Sequence, residues 1–139
     1  MNSNRITLIT LGVSDLARAR SFYETLGWQL DEATDDMAFY ALDGAKFGLY
    51  SLSKLAEDLN RPAETLGTGA MALAQNFSTR EEVDTAFARA LAAGAKAIQH
   101  PQSVFWGGYS GSFTDPDGHL WEYAMNPFWK LDGDGHLMP

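Results

Sequence analysis

The sequence has no cysteine, so no disulfide can staple it, and an apolar core must hold the chain together. Histidine is scarce: His100, His119 and His136 are the only three in 139 residues. A metal centre built from imidazoles therefore has little to draw on. Basic residues are outnumbered, ten Lys and Arg against 18 Asp and Glu, and they form no cluster. A net charge of −8 without a basic face excludes a nucleic-acid backbone as the main partner and serves solubility. No apolar run approaches the roughly 20 residues that span a bilayer. The opening "MNSNRITLIT" also lacks a basic stretch leading into a long apolar one. The expectation is a cytoplasmic protein with no membrane and no nucleic-acid partner.

What is present is a pattern that occurs twice. "RITLITLGVSDLARARSFYETLGWQL" reads as a strand, a cap at Ser14 or Asp15, and a helix with an apolar stripe at Leu16, Ala19, Tyr23 and Leu26 that stops at Gly27. "GAMALAQNFSTREEVDTAFARALAAGAKAI" repeats the order. Here Ser78 with Glu81 or Thr79 with Glu82 offers a capping box, Val83, Ala86, Phe87, Ala90 and Leu91 form the stripe, and Gly94 is the stop. Three short extended segments follow each helix: about 29–32, 37–42 and 46–52, then about 95–99, 105–114 and 119–126. "LDGA" and "DPDG" supply hairpin turns at corresponding places. The fold class is α+β, with two βαβββ modules forming curved mixed sheets around a cleft. One domain spans 1–139: module one at about 5–52, a linker at about 53–68, module two at about 69–127 and a tail at 128–139. Within the linker, a short helix is predicted from about Lys54 to Asn60, capped by Ser53.

Alternation assigns faces to the strands. In the last one, His119, Trp121, Tyr123 and Met125 suit packing under a helix, which turns Leu120, Glu122, Ala124 and Asn126 to the cleft. Leu8 and Thr10 from the first strand, and Ala70 and Ala72 from the fifth, are placed on the same lining. Trp106 and Tyr109 flank two glycines, a bend that can bring aromatic surface to the cleft mouth. Phe39, Phe47 and Tyr50 are further pocket candidates. "DPDGH" is a turn rather than a calcium loop, because the donor series and terminal glutamate of such a loop are missing.

"LGVSDLARARSFYETLG" and "GYSGSFTDPDGHLWEY", in this order around a second strand and helix, resemble the vicinal oxygen chelate superfamily. That group includes glyoxalases, extradiol dioxygenases and bleomycin-resistance proteins, and the likeness covers about 6–127. In its metal-using members four side chains hold one divalent ion. Carried over by position, these fall at Leu8, near Gly48, at Ala70 and at Glu122, so one donor of four survives. No metal site and no cofactor are expected.

What the resemblance then implies is metal-independent binding or sequestration of a small organic molecule, with aromatic and cationic molecules as the classes to test. Glu122 would be the oriented acceptor and Trp106 and Tyr109 the apolar wall. Two other readings stay open: a metal-free lyase or isomerase using Glu122 with Tyr109, Thr10 or His100, and a protein-interaction module with a closed cavity. A homodimer is expected by resemblance, with Phe128 and Trp129 in "NPFW" as a local motive.

Overall fold

The computed structural model describes residues 3–139. Between Gly67 and Thr68 the chain divides into two compact units. The first contains β1 (Leu8–Val13), α1 (Leu16–Thr25), β2 (Leu30–Ala33), β3 (Met37–Leu42), β4 (Ala45–Ser51), α2 (Leu52–Leu59) and a 3-10 turn, Ala63–Thr65. Its sheet runs β1-β4-β3-β2, with β1 parallel to β4 and the other neighbours antiparallel. Asp15 is the residue that caps α1, its carboxylate accepting the Arg18 N–H at 3.1 Å. Beyond the helix Gly27 takes φ 101°, a left-handed conformation that glycine adopts without strain.

The apolar set of β1 faces α1 as its alternation requires. Leu11, Val13, Ala38, Tyr40, Phe47 and Leu49 are buried with Ala19, Phe22 and Tyr23 of the helix. Edge-on aromatic contacts knit this layer, Tyr23 to Phe47 at 5.2 Å and Tyr23 to Trp28 at 5.8 Å. At its margin the Tyr40 hydroxyl donates to Glu24 Oε2 at 2.9 Å, and Arg20 Nε reaches the same oxygen at 2.8 Å. Helix and sheet are thereby pinned by one polar contact as well as by burial.

The segment expected to be a linker belongs to this unit. Its helix starts two residues earlier than predicted, straight out of β4, with Ser51 rather than Ser53 in the cap position and Asn60 in the left-handed conformation at its end, φ 54°. Leu52 and Leu55 reach back over β1, where a methyl on Gly12 would meet Leu52 Cδ1 at 2.8 Å. A side chain there would have to displace the ends of Leu52 and Leu55, so glycine allows the close approach.

The second unit repeats the order: β5 (Ala72–Asn76), α3 (Arg80–Ala93), β6 (Lys96–Ser103), β7 (Tyr109–Thr114) and β8 (Leu120–Met125). Its sheet runs β5-β8-β7-β6, with β5 parallel to β8. Thr79 proves to be the cap of α3, accepting the Glu82 N–H at 3.1 Å, and Gly94 ends the helix at φ 119°. Val83, Phe87 and Ala90 pack on Phe113, Trp121 and Tyr123. The strand predicted at 105–114 starts only at Tyr109, since 104–108 form the hairpin turn from β6, closed by Val104 N–H to the Gly108 carbonyl at 2.9 Å.

Register makes the repeat quantitative. In the first unit Thr10, Gly48, Phe39 and Glu32 lie in one row across the sheet. In the second the corresponding row is Ala74, Glu122, Ser112 and Gln99. Even the irregularity repeats, because β2 bulges between Leu30 and Glu32 as β6 does between Ala97 and Gln99. A turn is duplicated as well. Asp115 accepts the N–H groups of Asp117 and His119 at 2.9 Å each, and Asp132, in the tail, accepts those of Asp134 and His136 at the same distances. "DPDGHL" and "DGDGHL" thus build the same hairpin turn, the second closing a Leu131–Leu137 bridge in the tail.

Candidate functional sheet faces

In each unit one sheet face is covered by the long helix, α1 or α3, and the other carries the candidate residues. On the second unit's helix-free face Glu122 is exposed, its carboxylate making no hydrogen bond or ion pair among the described residues. It stands between Ala74 on β5 and Ser112 on β7. The alternation of "HLWEYAM" therefore gives its faces correctly: Trp121 and Tyr123 are 4% and 3% exposed beneath α3, and Glu122 points the other way. Ala72 lies on this face, paired with Leu120. Ala70 precedes the strand and is exposed.

On the first unit's face opposite α1, whose Gly12 end is covered by Leu52 and Leu55 of α2, stand Leu8, Thr10, Gly48, Phe39 and Lys46. Gly48 is buried although it has no side chain, because the Phe39 ring lies over it. A methyl placed on Gly48 would be 3.1 Å from Phe39 Cε1, 3.3 Å from Phe39 Cδ1 and 3.5 Å from Leu8 Cδ1. Lys46 Nζ is 5.6 Å from the centroid of that ring and pairs with Asp31 at 3.1 Å and Glu32 at 3.4 Å. The two carboxylates, Asp31 first, raise the lysine pKa.

Three candidates stand elsewhere. Phe47 is 1% exposed in the α1 core, because strand alternation sets it on the face opposite Gly48 and Tyr50. Tyr109 shares its parity with Gly111 and Phe113 and so faces α3. Its hydroxyl donates to Asp84 at 2.7 Å, which raises its pKa, and Arg80 sits 5.1 Å over its ring. It does not stand beside Glu122, which pairs with Ser112. Trp106 occupies the hairpin tip and folds back on its own turn, within 2.1 Å of where a Gly108 methyl would be. It forms no wall with Tyr109 along the strand. Tyr50 is on the face opposite α1, but α2 packs there and its Asp58 engages the Tyr50 hydroxyl at 2.6 Å, pushing its pKa up to about 12. His100 packs against Phe87 of α3 with ring centroids 5.5 Å apart. The second polar groups proposed for acid/base chemistry in this unit, Tyr109 and His100, are therefore both on the helix side of the sheet.

Register also fixes which residues stand at the positions that hold the ion in the metal-using members. Leu8 lies two residues before the partner of Gly48, and Ala72 lies two before the partner of Glu122, so Ala72 rather than Ala70 is the counterpart of Leu8. Leu8, Gly48 and Ala72 carry no donor atom, and a lone carboxylate does not fit a zinc, iron or manganese ion that needs several. Among the described residues Asp132, Asp134 and His136 do bring three donor atoms within 4.8 Å of one another. All three are exposed on the tail, and the turn that gathers them is the one already seen at Asp115–His119.

Neither Ser112 nor Lys46 was singled out from the sequence. A glycine in the middle of an apolar strand was the available signal, since it marks a close approach by another group.

The chain matches the family model described as the Glyoxalase/Bleomycin resistance protein/Dioxygenase superfamily over residues 5–123. Among solved structures, a glyoxalase-related enzyme from Fulvimarina pelagi is 32% identical, covers 98% of each chain and superposes with a TM-score of 0.90. A glyoxalase/bleomycin resistance protein/dioxygenase from Nocardioides is 26% identical with a TM-score of 0.72, over 90% of this chain and 85% of that one. Lactoylglutathione lyase from Agrobacterium tumefaciens, 20% identical over 94% of this chain and 100% of that one, shares the fold with a TM-score of 0.72. No curated protein matches. No helix among the described residues is long and apolar enough to cross a membrane.

Proposed function

This chain belongs to the glyoxalase/bleomycin resistance/dioxygenase superfamily, and from that premise we propose that it binds and sequesters a small organic molecule on the sheet faces turned away from α1 and α3, without a metal ion. The observation that carries the reading is the donor set. Leu8, Gly48 and Ala72 offer nothing to an ion, while Glu122 keeps an exposed carboxylate flanked by small residues, Ala74 and Ser112. Such a carboxylate accepts hydrogen bonds from a ligand and favours a cationic group over an anionic one.

Turnover by acid/base chemistry is the weaker reading, because Tyr109 and His100 are engaged on the helix side and Ser112 is the polar side chain next to Glu122 in the row. We extend the proposal to a homodimer, for which the exposed Phe105, Phe128 and Trp129 give a motive and sedimentation at micromolar concentration gives the test.

The binding proposal is tested by thermal shift with a small-molecule library, repeated with and without EDTA. A ligand at 100 times its Kd stabilises by about 2.7 kcal/mol, a rise of several degrees. Shifts that survive EDTA are expected, and shifts that need added divalent ion would overturn the metal-free reading.

A further inference from the structure

We infer that the ligand of this chain lies on the second unit's face opposite α3, and that it is a non-aromatic, hydroxyl-rich amine held by Glu122 and specified by Ser112. The inference rests on the binding reading above and narrows it to one face and one ligand class.

The two units differ in what their polar side chains do. On the first unit's face opposite α1, Lys46 and Tyr50 are already engaged, the one by Asp31 and Glu32 and the other by Asp58. On the second unit the reverse holds. Every residue that β7 turns to the face opposite α3 carries a hydroxyl, Ser110, Ser112 and Thr114, since Gly111 and Phe113 alternate to the α3 side. Ser112 stands in one row between Glu122 of β8 and Gln99 of β6. None of these five side chains makes a hydrogen bond or ion pair among the described residues. The three hydroxyls are half-buried, so their hydrogen-bonding capacity is left for water or a ligand.

The chemistry of these groups selects the ligand. A hydroxyl and a carboxamide each donate and accept, which matches ligand hydroxyls that do the same, whereas the Glu122 carboxylate only accepts and is best met by an ammonium. Neighbouring strands are about 4.8 Å apart, so Glu122, Ser112 and Gln99 offer polar groups along a line of about 10 Å, comparable with an extended six-carbon polyol. The rings of β7 and β8, Tyr109, Phe113, Trp121 and Tyr123, are all on the α3 side, which leaves a flat aromatic ligand nothing to stack on. Lys96 shares the face at its corner, paired with Thr114, two strands and two residues from Glu122. Sheet spacings make that about 12 Å between Cα atoms, beyond the roughly 8 Å over which exposed charges act at physiological salt. The lysine therefore leaves the Glu122 charge unneutralised.

Four molecules built on a six-carbon chain test this, titrated into the full chain at 0.15 M salt and followed by amide chemical shifts: glucamine, sorbitol, gluconate and hexylamine. Glucamine is expected to bind most tightly, with its shift changes concentrated at 110–114 and 120–124. Sorbitol lacks the charge and hexylamine lacks the hydroxyls, and each is expected to bind roughly tenfold more weakly, with gluconate weaker still. Glu122→Gln is expected to bring glucamine down to the sorbitol level. Ser112→Ala is expected to weaken glucamine about threefold without changing hexylamine. Circular dichroism establishes that both variants are folded. Hexylamine as tight as glucamine, or glucamine unaffected by Ser112→Ala, overturns the hydroxyl selection. Gluconate as tight as glucamine overturns the charge preference, and shift changes confined to other segments overturn the face. If none of the four binds but molecules from the library do, the ligand class is wrong and the binding reading holds; if nothing from either set binds, both fall.

Discussion

Asp115 and Asp132 make the same turn in different surroundings, and the pair isolates what burial does to a side-chain cap. Asp115 is 3% exposed, and its Oδ1 accepts two backbone N–H groups at 2.9 Å each, from Asp117 and His119. Replacing it by alanine leaves both donors without their acceptor in a place that water does not freely reach. A hydrogen bond to a charged group contributes roughly 1.5–3 kcal/mol, and two that share one acceptor contribute less than twice that, so Asp115→Ala is expected to cost about 3 kcal/mol. With a urea m-value of about 2 kcal/mol/M for a domain of this size, the midpoint falls by about 1.5 M. Asp115→Asn keeps the acceptor oxygen and loses the charge, and is expected to cost about 1 kcal/mol. Asp132 accepts at the same distances on the exposed tail, where water replaces the lost acceptor, so Asp132→Ala leaves the midpoint in place. Urea unfolding followed by far-UV circular dichroism reads all three. Equal midpoints for Asp115→Ala and Asp132→Ala would refute the argument that burial, rather than turn geometry, sets the cost.

Other consequences can be measured alongside. Tyr40→Phe removes the hydroxyl that donates to Glu24 and is expected to cost about 1 kcal/mol at pH 7, a figure reduced because a third of the Glu24 side chain is exposed. Arg20, chiefly, and Tyr40 hold the Glu24 pKa below its usual value, so the stabilisation is complete above the unfolded-state pKa and is lost as pH falls through the folded one. The Tyr40→Phe cost should therefore shrink between pH 5 and pH 3; a constant cost would contradict this. Gly12→Val drives a side chain into Leu52 and Leu55 and is expected to loosen α2, seen as faster hydrogen exchange over 52–59 with α1 unaffected. Gly108→Ala displaces the Trp106 indole from the hairpin turn and is expected to change the near-UV circular dichroism with little loss of stability, because the ring is already 41% exposed.

Sequence patterning carried most of the fold, for reasons that are local. Helix stops at Gly27 and Gly94, the hairpin dipeptides and the two-residue alternation of "HLWEYAM" each depend on neighbours in the chain, and each appears as expected. Packing between elements was less visible. Helix α2 starts at Leu52 because Leu52 and Leu55 fit over Gly12, a contact no cap residue announces. Of the candidate site, Glu122, Leu8 and Thr10 fall on the faces opposite α3 and α1 because parity alone decides that. Phe47 and Tyr109 fall on the other side for the same reason, and the parity of their neighbours Gly48 and Phe113 carries that information in the sequence. The Phe39 ring over Gly48 joins residues nine apart across a hairpin, so it depends on register, which turn signals fix only approximately.

Metal independence is the central claim, and metal analysis of protein expressed with zinc, iron, nickel and manganese supplied and purified without chelator tests it most directly. Less than a tenth of an equivalent of any divalent ion is expected, roughly the level of adventitious surface binding, and Glu122→Ala should not change it. One equivalent of a single metal, lost in Glu122→Ala and retained in Asp132→Ala, would contradict the account.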